Sequence, residues 1–268
     1  MNFFERIIVF LQHEMTRPKP FGWFHLLFIG LTIFSIVILF LLRKKYNDKQ
    51  LKIVLFIYGF IAFVLELLKQ IIWSFEFGGS PKWDYPWYIF PFQLCTTPIF
   101  VSLICLFLKK GKVRDSLLSY LSFITILGSF MTIIIPTSCF VETTLVNIHT
   151  MYLHCGSFVV SIYLLISDEI KLDKQNLINS FKVFILFIII ALFLNITFYN
   201  FNLINNEEFN MFYISPYFVS SLPVYNVVYE NTPYIIFLLF YIISICIGGS
   251  VIYIISNLIG KMYRKIIK

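Results

Sequence analysis

Seven stretches of the chain, at residues 21–42, 51–73, 89–108, 117–135, 146–166, 178–198 and 233–259, are almost wholly apolar. A hydrocarbon core of about 30 Å takes about 20 residues of helix to cross, at a rise of about 1.5 Å per residue. Water does not reach backbone N–H and C=O groups at that depth, so continuous apolar runs of this length are read as helices that satisfy their own hydrogen bonds. The expectation is an all-α, polytopic transmembrane helix bundle of about seven spans, multi-pass in the cell membrane. A composition of 59% hydrophobic and 13% charged residues, with 32 Phe and a mean hydropathy of +0.84, removes the soluble alternatives. The net charge of +7 does not point to nucleic acid, because the basic residues sit in short loops between apolar runs rather than on a folded soluble face.

Residues 1–20 form a separate element. Glu5, Arg6, Glu14, Arg17 and Lys19 interrupt any signal-peptide core, while Phe3, Phe4, Ile7, Ile8 and Leu11 recur at helical spacing. This segment is expected as an amphipathic helix lying in the membrane interface, followed by one transmembrane domain over 21–268. Lys and Arg number fifteen in the loops after the first, third and fifth spans and in the tail, against four on the other side. By the positive-inside rule the N-terminus lies outside and the C-terminus in the cytoplasm. The long loop at 199–232, rich in Phe and Tyr and without Lys or Arg, then lies outside and is expected to act as a lid.

With orientation set, helical rise places polar side chains by depth. Cys95 falls roughly 9 Å, His149 roughly 5 Å, His154 roughly 12 Å, Lys69 and Gln70 about 5 Å and Glu66 about 10 Å below the outer boundary. His25 opens the first span and Asn195 closes the sixth at the same side. Ionisable groups at such depth face one another or water, and are functional candidates. Glu66 and Lys69, three apart, are placed to pair. A thiol becomes a nucleophile when a base or a positive neighbour raises its thiolate fraction, which makes Cys95 and His154 a candidate pair. In the stretch FPFQLC at 90–95, Pro91 leaves the helix start irregular, so free N–H groups and Gln93 are candidate donors to an oxyanion. His149 and His154 are five apart, not the three or four that share a helix face, so no metal site is expected. Cys105, Cys139, Cys155 and Cys246 read as small apolar fillers.

These motifs together resemble the YwaF and transmembrane protein 164 family of integral membrane proteins. The resemblance is carried by FGWFHLLF at 21–28 with His25, the acidic position Glu66, FPFQLC at 90–95, GSFMTIIIP at 128–136 and His154 in YLHCGS. It implies a phospholipid acyltransferase with Cys95 as nucleophile and His154 as base, working through an acyl-thioester without a cofactor. Phospholipids and lysophospholipids are then the partners, with Glu66, Lys69, His25, His149 and Gln93 in support. Where the family commonly carries histidine this chain has Gln93, which cannot act as a base. Glu66 is expected to orient His25 or His154, and Lys69 to meet the lipid phosphate. The competing classes are a transporter or lipid-binding protein built around the same polar layer, and a hydrolase in which water replaces the lipid acceptor.

Overall fold

A computed structural model describes residues 2–42, 47–77, 81–136, 139–204 and 207–267. Arg43, Lys44, Lys45 and Lys268, basic residues on the expected cytoplasmic side, lie outside the described residues. The helices are α1 (Phe3–Leu11), α2 (Trp23–Leu42), α3 (Asp48–Trp73), α4 (Thr97–Phe107), α5 (Lys112–Phe123), α6 (Thr125–Ile134), α7 (Thr144–Ile166), α8 (Lys174–Asn200), α9 (Tyr225–Asn231) and α10 (Tyr234–Ile267). A small antiparallel hairpin follows α3, with β1 (Phe75–Phe77) against β2 (Pro81–Trp83) and Phe75 opposite Trp83.

Among the described residues, six helical segments are long and apolar enough to cross a bilayer: α2, α3, α5 with α6, α7, α8 and α10. The chain is a multi-pass, all-α membrane protein. The run at 89–108 differs from the expectation. Its helix, α4, begins only at Thr97 and has 11 residues, about 16 Å of rise and too short to span alone. Prolines explain the delay: Phe90 is held extended (ψ 133°) ahead of Pro91, as the ring of a following proline requires. Pro98 then occupies the first turn of α4, where its missing N–H leaves no bond unmade.

The α5–α6 span bends at Ile124. The carbonyl of Leu121 accepts the Thr125 hydroxyl at 2.8 Å and the Ser161 hydroxyl of α7 at 2.6 Å. Two side chains inserted at one rung of the ladder are a sufficient cause for a bend. At the centre, α7 packs against α2, α3, α5 and α6. Gly156 on α7 faces the buried Tyr58 of α3, and a Cβ built there would sit 2.7 Å from the Tyr58 ring. The glycine is therefore what lets the two helices meet at that level. Outward-facing Leu31, Phe34 and Val37 of α2 and Ile236, Leu239 and Ile243 of α10 are exposed, as suits a surface whose solvent is lipid.

The N-terminal helix is shorter than 1–20. It is opened by a reciprocal Asn2–Glu5 capping box and closes at Gln12. The Gln12 amide donates to the carbonyls of Ile72 and Phe75, each at 2.6 Å, and Ile8 is buried with Ile72, Phe75 and Val146. Burial of one such side chain stabilises the docking by about 1.5–3 kcal/mol. Phe3, Phe4 and Phe10 remain exposed, and Phe4 stacks on Trp83 of the hairpin at 6.4 Å. Beyond Gln12 the chain is extended, bridging Glu14 to Thr143 ahead of α7.

Candidate functional site

The segment from Trp87 to Thr96 is a short 3-10 turn followed by irregular chain. Non-helical backbone at membrane depth is tolerated where protein buries it or a cavity hydrates it, and here aromatic rings supply much of the cover. Trp87 and Phe90 pack on Phe198 of α8 and on Phe209, which themselves stack at 4.4 Å. Depth by helical rise consequently does not apply to Cys95. The thiol lies two residues before α4, partly buried, in a turn closed by Thr96 and Thr97 N–H donating to the Gln93 carbonyl. A helix start of this kind favours an anion at its N-terminal end.

Gln93 faces the 201–224 stretch. Its amide nitrogen donates to the Asn210 carbonyl at 3.0 Å, and its amide oxygen accepts from the Phe212 N–H at 2.7 Å. Asn195 of α8 grips the neighbouring residue from the other side, accepting from the Met211 N–H at 2.7 Å and donating to its carbonyl at 3.0 Å. Phe212 and Tyr213 both have φ of 59°, a left-handed conformation that costs on the order of 1–3 kcal/mol per residue and persists only where its surroundings enforce it. Phe209, Met211, Phe212 and Ile214 are fully buried. The centre of the expected lid is thus a plug inserted into the bundle, because its apolar rings find a socket and two side-chain amides satisfy its backbone.

Opposite this segment, α3 and α7 bring together a dry ionic cluster. Glu66 Oε1 accepts from Lys69 Nζ at 2.7 Å and from the Gln70 amide at 2.6 Å. Glu66 Oε2 lies 2.8 Å from His149 Nε2, at ion-pair distance but off the axis of the ring N–H. His149 Nδ1 is buried with no hydrogen-bond partner. Gln70 also donates to the Ile89 carbonyl at 2.8 Å and accepts from the Tyr85 hydroxyl at 2.6 Å, which ties the cluster to the chain leading to Cys95. Burial, with the Glu66 charge adding to it, pushes the Tyr85 phenol up to about 12, so at neutral pH it remains the donor to Gln70. Lys69 and Glu66 are both near enough to act electrostatically on Cys95.

The histidines separate into distinct environments. His25 is fully buried, accepts from the Phe21 N–H at Nδ1 (2.9 Å) and so carries its proton at Nε2, which donates to the Ile133 carbonyl at 2.8 Å. It is a neutral clamp between α2 and the end of α6. His154 is buried on α7 within electrostatic reach of His149. Glu66 therefore engages His149, rather than His25 or His154, and no hydrogen bond joins Cys95 to His154. Among the described residues no group of three or more His, Cys, Asp or Glu side chains is placed to hold a metal ion. No disulfide joins two cysteines among the described residues.

The sequence profile of the TMEM164 family matches residues 20–253. The chain belongs to the TMEM164 family. No curated protein and no solved structure matches it. The TMEM164 match takes in Glu66, Cys95, His149 and His154 and leaves out α1 with its capping box. Three residues that tie the site together escaped the sequence reading as site residues. Gln70 carries a usable signal, four residues after Glu66 on one helix face; Tyr85 and Asn210 lie in loops, where no periodicity marks them.

Proposed function

We propose that this TMEM164-family protein is a membrane-embedded phospholipid acyltransferase that uses Cys95 as nucleophile and an α7 imidazole as proton acceptor. The thiolate attacks the ester carbonyl carbon of a phospholipid, the C–O bond to glycerol breaks, and an acyl-thioester forms on Cys95. A lysophospholipid hydroxyl then attacks the thioester and the thiol is released. What supports this reading is the position of Cys95 two residues ahead of α4, within electrostatic reach of Lys69 and of Glu66, whose carboxylate stands beside the buried His149. A transport route has less support, since the buried ionic groups Glu66, Lys69 and His149 are paired with one another rather than spread along a path through the bundle.

The reaction belongs to the outer leaflet of the cell membrane on this reading, with the Lys- and Arg-rich end of the bundle cytoplasmic. The experiment is intact-protein mass after incubation of purified protein with phospholipid vesicles, with Cys95→Ser alongside. An added acyl mass that hydroxylamine removes, present in the wild type and absent from Cys95→Ser, is the expected result. Free fatty acid in place of new phospholipid would reassign the protein as a hydrolase. Lipid turnover undiminished in Cys95→Ser would sink the mechanism.

A further inference from the structure

Helix α2 leans on α7 and scarcely meets α3, so α2 and α3 flank α7 with a gap between them. The gap is a groove of about 470 Å³, lined among others by Leu31, Ser35 and Ile38 of α2, Ile57 of α3 and Gly156 and Val159 of α7. Its floor stays open because α7 offers Cys155, Gly156 and Val159 where longer side chains would fill the space. Beside it Tyr152 stacks on Tyr58 at 6.3 Å and donates its hydroxyl to the Ile57 carbonyl at 3.1 Å, which ties α7 to α3 and leaves α2 apart. The hydroxyls of the opposite wall are spent on backbone as well: Thr32 donates to the Phe28 carbonyl at 2.7 Å and Ser35 to that of Leu31 at 2.8 Å. None of these groups asks for a polar ligand, whose orientation a site normally fixes by such contacts. Depth narrows the choice further. Phe28 and Leu39, the limits of the groove on α2, lie about 8 Å and about 24 Å along that helix, which centres the groove in a hydrocarbon core about 30 Å thick. Leu31 and Phe34 of one wall and Ile57 of the other are exposed, so the groove opens sideways onto lipid.

We infer that the groove between α2, α3 and α7 is a binding site for the terminal half of a phospholipid acyl chain, held at the centre of the bilayer as a wedge between α2 and α3. Headgroups stay at the boundary, about 15 Å away, and only the far end of a chain reaches this level. The shape favours a chain over a helix of a second copy. A volume of about 470 Å³ spread along about 16 Å leaves a mean cross-section of about 30 Å², less than half that of a helix about 10 Å across with its side chains. The site is independent of the acyltransferase reading, since none of its residues is assigned to that reaction. Lipid tails are as apolar as the groove, so no hydrophobic gain separates a bound chain from a bulk one. Retention comes from dispersion contacts with walls on three sides, and the preference over bulk lipid is accordingly modest.

The probe is a phosphatidylcholine with a diazirine at the end of one acyl chain, doped into phosphatidylcholine vesicles that carry the full-length protein. After irradiation, labelled peptides are located by mass. The reference is the lipid-facing side of α10 at central depth, where Ile243, Ile247 and Val251 are exposed without a groove. Labelling of Leu31, Ser35, Ile57 and Val159 is expected to exceed the α10 reference about three- to tenfold. A second phosphatidylcholine, with its diazirine beside the ester, is expected to give no such excess. Ser35→Phe and Val159→Phe fill the groove from α2 and from α7, and each is expected to remove the excess while labelling of α10 is unchanged. Thermal unfolding of both variants identifies one that keeps the wild-type midpoint, and that one decides. Equal labelling of groove and α10 would overturn the inference, as would an excess that survives the filling substitution. Equal labelling of the groove by both diazirine positions would overturn its assignment to the chain end. An unlabelled groove in a protein that runs as a dimer, and that Ser35→Phe turns into a monomer, would give the site to a second copy of the chain instead.

Discussion

Helix α3 carries an ionic cluster at each end, and the two are built differently. At its start, Asp48 pairs with Arg114 of α5 and approaches Lys52 at 3.9 Å and Lys110 at 4.0 Å, while Lys110 also reaches Glu169 at 3.2 Å. The Asp48 side chain is 38% exposed and sits in the first turn of α3, where a negative charge suits the helix dipole. Near its other end Glu66 is 3% exposed, its partner Lys69 12% and His149 5%. The first cluster is wet on its Asp48 and Lys110 side, where the side chains are 38% and 64% exposed, although Arg114 itself is buried. The second is dry, so every missing partner is felt, and both Glu66 Oε2 and His149 Nδ1 stand there without a hydrogen bond. Charge pairing alone does not separate a structural tie from a reactive site; burial together with an unfilled acceptor does.

The strongest way to break this contrast is Glu66→Ala. It strands the buried Lys69 ammonium and removes the carboxylate that stands beside His149, and breaking a buried pair from one side costs about 3–5 kcal/mol. A large drop in the unfolding midpoint in detergent is expected together with loss of Cys95 acylation. An unchanged midpoint would mean that the cluster is hydrated. Gly156→Ala follows in size. The added methyl must displace the Tyr58 ring from 2.7 Å, an overpacking that costs about 1–3 kcal/mol, measurable in the same scan. It acts through packing between α3 and α7 and is expected to lower acylation less than it lowers stability.

These outcomes also mark what the amino-acid sequence could reveal. The long spans were legible because an apolar run of given length is nearly a direct statement of bilayer crossing. The segment at 89–108 was not, since hydropathy does not distinguish a helix from irregular chain wrapped in Phe198, Phe209 and Trp87. Depth brought Glu66, Lys69, His149, His154 and Cys95 into one layer, but azimuth around each helix decides who touches whom. It was the rotation of α7 against α3 that paired Glu66 with His149. The plug at 209–215 was invisible for a similar reason: a loop rich in Phe and Tyr reads alike whether it covers a surface or fills a socket.

Asp48→Asn tests the wet cluster. Arg114 is almost fully buried and loses its ionised partner, but the exposed carboxylate is well screened by water, so the loss is held to about 1–2 kcal/mol. Acylation of Cys95 at the far end of α3 is expected to be unchanged. The destabilisation should shrink when unfolding of both proteins is compared at high salt, because the pair is open to counterions. A loss as large as that of Glu66→Ala, insensitive to salt, would show that the two ends are equally dry.

The smallest effect is expected at Lys82→Ala. Lys82 Nζ bonds Asp84 at 2.7 Å, the same length as the Lys69–Glu66 bond, yet both partners are more than half exposed. The hairpin that carries Lys82 is held by other means: Phe75 packs on Trp83 at 5.0 Å, and the Asp84 N–H donates to the Ser74 carbonyl at 2.8 Å. Exposed pairs contribute little once hydration and side-chain entropy are counted, so the unfolding midpoint and the acylation rate should both match the wild type. Two bonds of equal length would then differ from no effect to the largest in the series. A clear loss in Lys82→Ala would instead indicate that the hairpin charge engages something outside the chain, with lipid headgroups as the first candidate. Comparing binding to vesicles with and without anionic lipid would resolve that directly.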